Sequence, residues 1–253
     1  MSKFLHVSLR SRGRDQTSEW YQKNLGFEER RRGTTGIGTQ TAILALPATE
    51  TYIEVSDRVK LGHDFEVPEE SIMLQIEVPD LKAAVERLKK NGAKITEGDE
   101  NSKYVFVEDP DGYEIELTRA GEGEGAGEPN KNEPQFTSFG IRANNLDESV
   151  KFYTEHFGWR EKKRWTTPRG TKIAVLELPG NAPTLSIREM PFLKPMPRIP
   201  ENLMHIALPV PDMAKFREEM KAKGVPVDPD GDRMSWVLDP AGYELEIIER
   251  RPQ

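Results

Sequence analysis

Short runs of alternating apolar and polar residues open each part of the chain. In FLHVSLR (4–10), Leu5, Val7 and Leu9 fall on one side and His6, Ser8 and Arg10 on the other, the pattern of a half-buried strand. A helix is expected over about 15–25, then strands near 27–32, 41–46 and 51–56. In the last of these, Ile53 and Val55 oppose Tyr52, Glu54 and Ser56. IMLQIEV (72–78) starts a second unit, in which Asp80 is a good N-cap and Leu81, Val85 and Leu88 share one helical face. Asn91-Gly92 supplies the stop, and strands follow near 93–96, 103–108 and 112–118. The plan is strand, helix, three strands, twice over.

The same plan returns in the second half. At an offset of 132, Arg10 falls on Arg142, Trp20-Tyr21 on Phe152-Tyr153 and Gly26-Phe27 on Gly158-Trp159. After a two-residue deletion, VEDPDGYEIEL (107–117) falls on VLDPAGYELEI (237–247). Asp212 caps a helix with Met213, Phe216 and Met220 inward, and Gly224 ends it. Between the halves, AGEGEGAGEPNKNEP has no hydrophobic period and reads as a flexible linker. The expected organisation is a first domain over 1–120, a linker over 121–135 and a second domain over 136–253. Four βαβββ modules in two tandem domains make an α+β protein, with curved mixed sheets forming cups and helices outside.

Composition narrows the partners. Charged residues are 31% and mixed in sign, and the net charge is −7, which argues against a nucleic-acid partner. The chain has no cysteine, so thiolate chemistry and disulfides are excluded. The opening residues carry no signal-peptide pattern and no apolar run is long enough to span a bilayer, so the expectation is a cytoplasmic protein with no membrane partner.

The repeat also exposes candidate chemistry. His6 faces Ser138, Glu54 faces Ser186 and Met73 faces His205, while Glu116 and Glu246 are both kept. His6, Glu54, His205 and Glu246 each lie on the polar side of a strand whose other side is apolar. Two imidazoles and two carboxylates suit one divalent transition metal (Ni, Zn, Fe, Mn or Co). Taken singly, a strand histidine is more often hydrogen-bonded or half-exposed, and strand carboxylates are commonly solvated. His63 and His156 have no matching partners and read as loop and helix-surface residues.

The opening strand with His, the W-Y or F-Y pair before L-G-F or F-G-W, and the DP-[DA]-G-Y-E-x-E closing strand together resemble the vicinal oxygen chelate superfamily. That superfamily includes glyoxalase I, bleomycin-resistance proteins and extradiol dioxygenases. The resemblance covers nearly everything outside the linker. It implies a metal between two modules, each giving a first-strand and a last-strand ligand. Pairing within each domain leaves two poor sets. Pairing across domains gives one full set, His6, Glu54, His205 and Glu246, and leaves Ser138, Ser186, Met73 and Glu116.

The activity so implied is that of a metal-dependent glyoxalase-like lyase or isomerase. Its small-molecule substrate carries two vicinal oxygens, Glu246 acts as base with Glu54 able to share the role, and Arg10 contacts substrate. A glutathione hemithioacetal is one candidate, but Val55-Ser56-Asp57-Arg58 replaces the usual T-Y-N stretch, and 98–104 and 231–235 replace a K-G-G type loop. The alternatives are a metal-free binding or resistance module, with Trp165 or Trp236 stacking on its ligand, and an extradiol dioxygenase using His6, His205 and Glu246. With four modules in one chain, the expected state is a monomeric pseudo-dimer or a weak homodimer.

Overall fold

The computed structural model describes residues 6–35, 38–47, 51–125, 130–178 and 183–250. Phe4 and Leu5, part of the expected first strand, lie outside them. The first module runs β1 (His6–Arg10), α1 (Arg14–Leu25), β2 (Glu28–Thr34), β3 (Gln40–Ala45) and β4 (Tyr52–Asp57). The second runs β5 (Ile72–Val78), α2 (Leu81–Lys90), β6 (Lys94–Glu97), β7 (Tyr104–Glu108) and β8 (Glu114–Arg119). The third is β9 (Gln135–Arg142), α3 (Leu146–Phe157), β10 (Arg160–Thr166), β11 (Lys172–Glu177) and β12 (Thr184–Glu189). The fourth is β13 (Met204–Val210), α4 (Met213–Ala222), β14 (Asp228–Pro229), β15 (Met234–Leu238) and β16 (Glu244–Glu249).

The α+β class and the four-module plan hold, with strand ends within two residues of the sequence expectation. The helix boundaries have local causes. Asp80 Oδ1 accepts from Ala83 N at 3.0 Å, and Asp212 Oδ1 from Lys215 N at 2.9 Å. Helix α1 ends where Gly26 turns left-handed (φ 78°), a conformation that costs a residue with a Cβ.

The modules do not pair within their own half. One eight-stranded sheet has the order β14-β15-β16-β13-β1-β4-β3-β2, joining modules one and four. The other, β10-β11-β12-β9-β5-β8-β7-β6, joins modules two and three. In each, two modules meet antiparallel at their first strands: His6 pairs with Ala207 and Ser8 with His205, as Gln75 pairs with Ser138 and Met73 with Gly140. The apolar sides of these strands form the core against the helices, with Val7, Ile53, Ile206 and Leu245 wholly buried in the first sheet. In α2, Leu81, Ala84, Val85 and Leu88 supply the buried face.

Polar clamps hold the two sheets together. The Arg10 guanidinium donates to Leu61 O (2.8 Å), Gly62 O (2.9 Å) and Glu201 O (3.3 Å), on the crossovers that lead to β5 and β13. Its repeat-mate Arg142 donates to Glu69 O (3.1 Å) and to Lys194 O. Tyr113, fully buried, places its hydroxyl 3.0 Å from Arg10 O and 2.7 Å from Leu203 O, and Tyr243 accepts from Arg142 N and donates to Ser71 O.

The described start of the interdomain segment, residues 121–125, is hydrogen-bonded to the second sheet. Gly121 N and Gly123 N donate to the two oxygens of Glu77 on β5 (2.6 and 3.2 Å). A Cβ on Gly123 would stand 2.6 Å from Glu77 Oε1, and one on Gly125 would collide with Thr137. Gly123 and Gly125, part of the composition that suggested flexibility, thus also let the backbone lie close against the second sheet.

Candidate metal centre

Sheet register places the polar residues in two adjacent rows across the first sheet. One row reads Tyr52, His6, Ala207, Glu246, Trp236, and the next Glu54, Ser8, His205, Glu244, Leu238. His6 and His205 sit on neighbouring antiparallel strands but in different rows, so their rings approach diagonally, with centroids 5.6 Å apart. Ala207 separates His6 from Glu246 in its row. Its small side chain leaves the floor open, and the Glu246 carboxylate reaches both imidazoles.

Glu246 Oε2 lies 3.4 Å from His205 Nε2 and 3.7 Å from His6 Nε2. One ligand atom from each of these three residues falls within 4.8 Å of the others. His6 and His205 are 7% and 2% exposed, yet neither His6 nitrogen has a hydrogen-bond partner, nor does His205 Nε2. Buried polar atoms are nearly always paired, so three orphaned ring nitrogens beside a carboxylate mark a place built for another group. Burial, and then the neighbouring His205, push the His6 pKa down to about 3, which keeps its ring neutral and its lone pair available. Burial raises the Glu246 pKa, but the adjacent His205, His6 and Arg58 outweigh it and hold the carboxyl below its ordinary value.

Glu54 does not join this cluster. It is on the same side of the sheet, but its carboxylate accepts from Ser8 Oγ at 3.0 Å. Arg10, expected at the substrate, directs its Nη1 and Nη2 groups at the crossover carbonyls, an arrangement its repeat-mate Arg142 shares, while its Nε has no partner. Arg58 faces the site, with its Nη2 3.5 Å from His205 Nδ1 and its Nε without a partner. Burial lowers its pKa against the opposing pull of Glu54, Glu244 and Glu246. Sequence reasoning missed Arg58, although period two from Glu54 through Ser56 puts it on the site face. Tyr52 stacks on His6 (5.2 Å) and Trp236 meets His205 edge-on (5.2 Å), so both aromatics wall the cup. Trp165 instead lies under Lys163 on β10. His63 is in an exposed loop, 2.9 Å from Asp57, and His156 is in the last turn of α3 against Phe152.

The second sheet repeats the frame with other side chains. Its rows are Thr184, Ser138, Gln75, Glu116, Phe106 and Ser186, Gly140, Met73, Glu114, Glu108. Gln75 Nε2 donates to Glu116 Oε2 at 2.8 Å, and Arg188 reaches into the middle, 3.5 Å from Glu116. Among the described residues, the first cup alone gathers three potential metal ligands.

Known proteins give the same frame. The profile of the Glyoxalase/Bleomycin resistance protein/Dioxygenase superfamily matches residues 3–117 and again 135–247. A lactoylglutathione lyase of Arabidopsis thaliana is 28% identical over 143 residues, covering 49% of this chain and 47% of its own. This chain therefore spans about half the length of that relative. A lactoylglutathione lyase of Neisseria meningitidis is 28% identical over 137 residues, 48% of this chain but 94% of its own. The crystal structure of glyoxalase I from Zea mays superposes with a TM-score of 0.78 at 19% identity, over 98% of this chain and 92% of that one. With two matches that together span most of its length, the chain belongs to the Glyoxalase/Bleomycin resistance protein/Dioxygenase superfamily.

Proposed function

We propose that the chain is a metal-dependent lyase or isomerase of the glyoxalase type, with one metal site made by modules one and four. The observation that carries this reading is the convergence of His6, His205 and Glu246, buried and with unpartnered ring nitrogens, from opposite halves of the sequence. This donor set fits a borderline divalent ion such as Ni, Zn, Fe, Mn or Co and is a poor match for calcium. Such an ion supplies a Lewis acid that polarises a substrate carbonyl and offsets the negative charge left when a proton departs the adjacent carbon.

The chain's own groups divide the remaining work. Glu246 faces both imidazoles and serves chiefly as a ligand. Glu54, held by Ser8 outside the cluster, is free to carry a proton between adjacent carbons. Arg58 is placed to meet an anionic substrate oxygen, while Arg10 shapes the wall behind it. Tyr52 and Trp236 narrow the cup and exclude water. The named activity of the relatives, lactoylglutathione lyase, makes a thiol hemithioacetal the first substrate to try.

Elemental mass spectrometry after reconstitution with Ni, Zn, Mn and Fe tests the metal. About one ion per chain is expected, with loss of that same ion in both His6→Ala and His205→Ala. No ion under any condition would leave a metal-free binding module as the better reading. A second activity deserves an assay because two histidines and one carboxylate are also the ligand set of non-haem iron oxygenases. Oxygen-dependent catechol cleavage by the iron-loaded chain, without lyase activity, would select it.

A further inference from the structure

The second cup holds an ion cluster that the repeat does not account for. Arg188 follows Ser186 by two residues on β12 and shares its side of the sheet, and its side chain is 11% exposed. Its Nη2 lies 3.5 Å from Glu116 Oε2 and 3.3 Å from Glu124 Oε2. Its Nη1 is 3.5 Å from Met73 Sδ, and its Nε is 3.4 Å from Ser186 Oγ. Ser186 Oγ donates to the same Glu124 oxygen at 2.9 Å. Gln75 fixes Glu116 from the other side. Burial raises the Glu116 pKa, with Arg188 opposing, so Glu116 is itself a group that needs this cation nearby.

Glu124 is the odd member. The other residues belong to the repeated strands, but Glu124 comes from the interdomain segment that Glu77 pins against β5. A guanidinium and a hydroxyl directed at one carboxylate oxygen form a carboxylate-recognition site, with charge-assisted bonds stronger than neutral ones. We propose that the second cup is a binding site for a small carboxylate, and that Glu124 of the interdomain segment occupies it as a built-in ligand. Arg188 stands where the first cup gathers its metal ligands, so the second cup recognises an anion and disfavours a cation. A group held on the same chain competes at an effective concentration of at least the order of millimolar that a short flexible linker gives. An external carboxylate must therefore exceed that level, or meet a chain whose segment has lifted.

Thermal unfolding of the full chain tests this with formate as the probe. Glu124→Ala empties the site, so formate there meets no tethered competitor, whereas in the wild type Glu124 opposes it. The expected result is a lower midpoint for E124A in chloride, and a formate-induced rise clearly larger than in the wild type at equal ionic strength. Glu124→Ser also vacates the site and gives the same differential response if E124A folds poorly. The double variant E124A/R188M should lose the response. A formate shift in E124A no larger than in the wild type, or one that survives in the double variant, overturns the proposal. None of these variants touches His6, His205 or Glu246, so the outcome does not depend on the metal reading.

Discussion

Glu246 and Glu54 lie on the same side of one sheet, yet their neighbours differ enough to separate their expected effects. Glu246 faces two imidazoles, so Glu246→Gln should cost metal affinity by about 10-fold or more, read by competition with a chelating dye. Glu54 contacts Ser8 instead. Glu54→Gln should keep the ion and lower kcat by about 10²-fold, the usual scale for losing a general base. Equal metal loss in both variants would return Glu54 to the ligand set that the repeat alone suggested. Asp109 makes a further prediction. Burial, and then the charge of Asp111, raise its pKa to about 7, whereas Asp239, with Ala241 in place of Asp111, reaches about 6. An acid with a raised folded pKa contributes stability below its unfolded value, here 3.8, and that contribution is lost as pH rises towards the folded one. Asp109→Asn should therefore gain stability relative to the wild type between about pH 4 and 7, by on the order of a few kcal/mol. Urea unfolding at both ends of that window measures it, and parallel pH curves would show that Asp109 is not the source.

The elements were the most legible part of the sequence, because each was written in a local period. Alternation located the strands, and Asp80 and Asp212 located two helix starts. Replacing either cap with Ala should cost about 1 kcal/mol, seen as a lower urea midpoint at an unchanged slope. The two-residue deletion was also legible, and its consequence is that β14 has two residues where β6 has four. The side chains that enter the cups from beyond the repeat comparison were not legible. Arg58 and Arg188 are on the correct strand faces, but nothing local says whether an arginine at a strand end turns inward. Glu124 lies in a glycine-rich run whose composition signals a flexible linker, and the contacts of 121–125 with β5 and β9 are not written in that composition. Arg10 is the opposite case, since its polar position suggested a ligand contact and its Nη groups bond backbone carbonyls. Because Arg142 makes the same kind of clamp, Arg10→Met and Arg142→Met should lose similar stability, on the order of 3 kcal/mol each. A loss confined to substrate affinity in R10M, with an unchanged unfolding midpoint, would restore Arg10 to the substrate.

The pairing of modules across halves decides how the whole molecule can be divided. Each sheet takes one module from residues before the interdomain segment and one from residues after it, so neither half contains a complete sheet or a complete cup. A first half assembled with its own copy would join modules one and two, bringing His6 and Glu54 to Met73 and Glu116. A second half with its own copy would bring Ser138 and Ser186 to His205 and Glu246. Neither set has two histidines, and thioether or hydroxyl groups are weak replacements for a borderline ion. Separately produced halves should therefore bind metal poorly as homodimers. Mixing them in equal amounts should restore about one ion per pair, since only that combination sets His6 beside His205 and Glu246. The intact chain needs no partner copy for this site, and light scattering should find it monomeric. Tight metal binding by one half alone would mean that the ligands come from within a domain, and the functional reading built on the shared sheet would have to be abandoned.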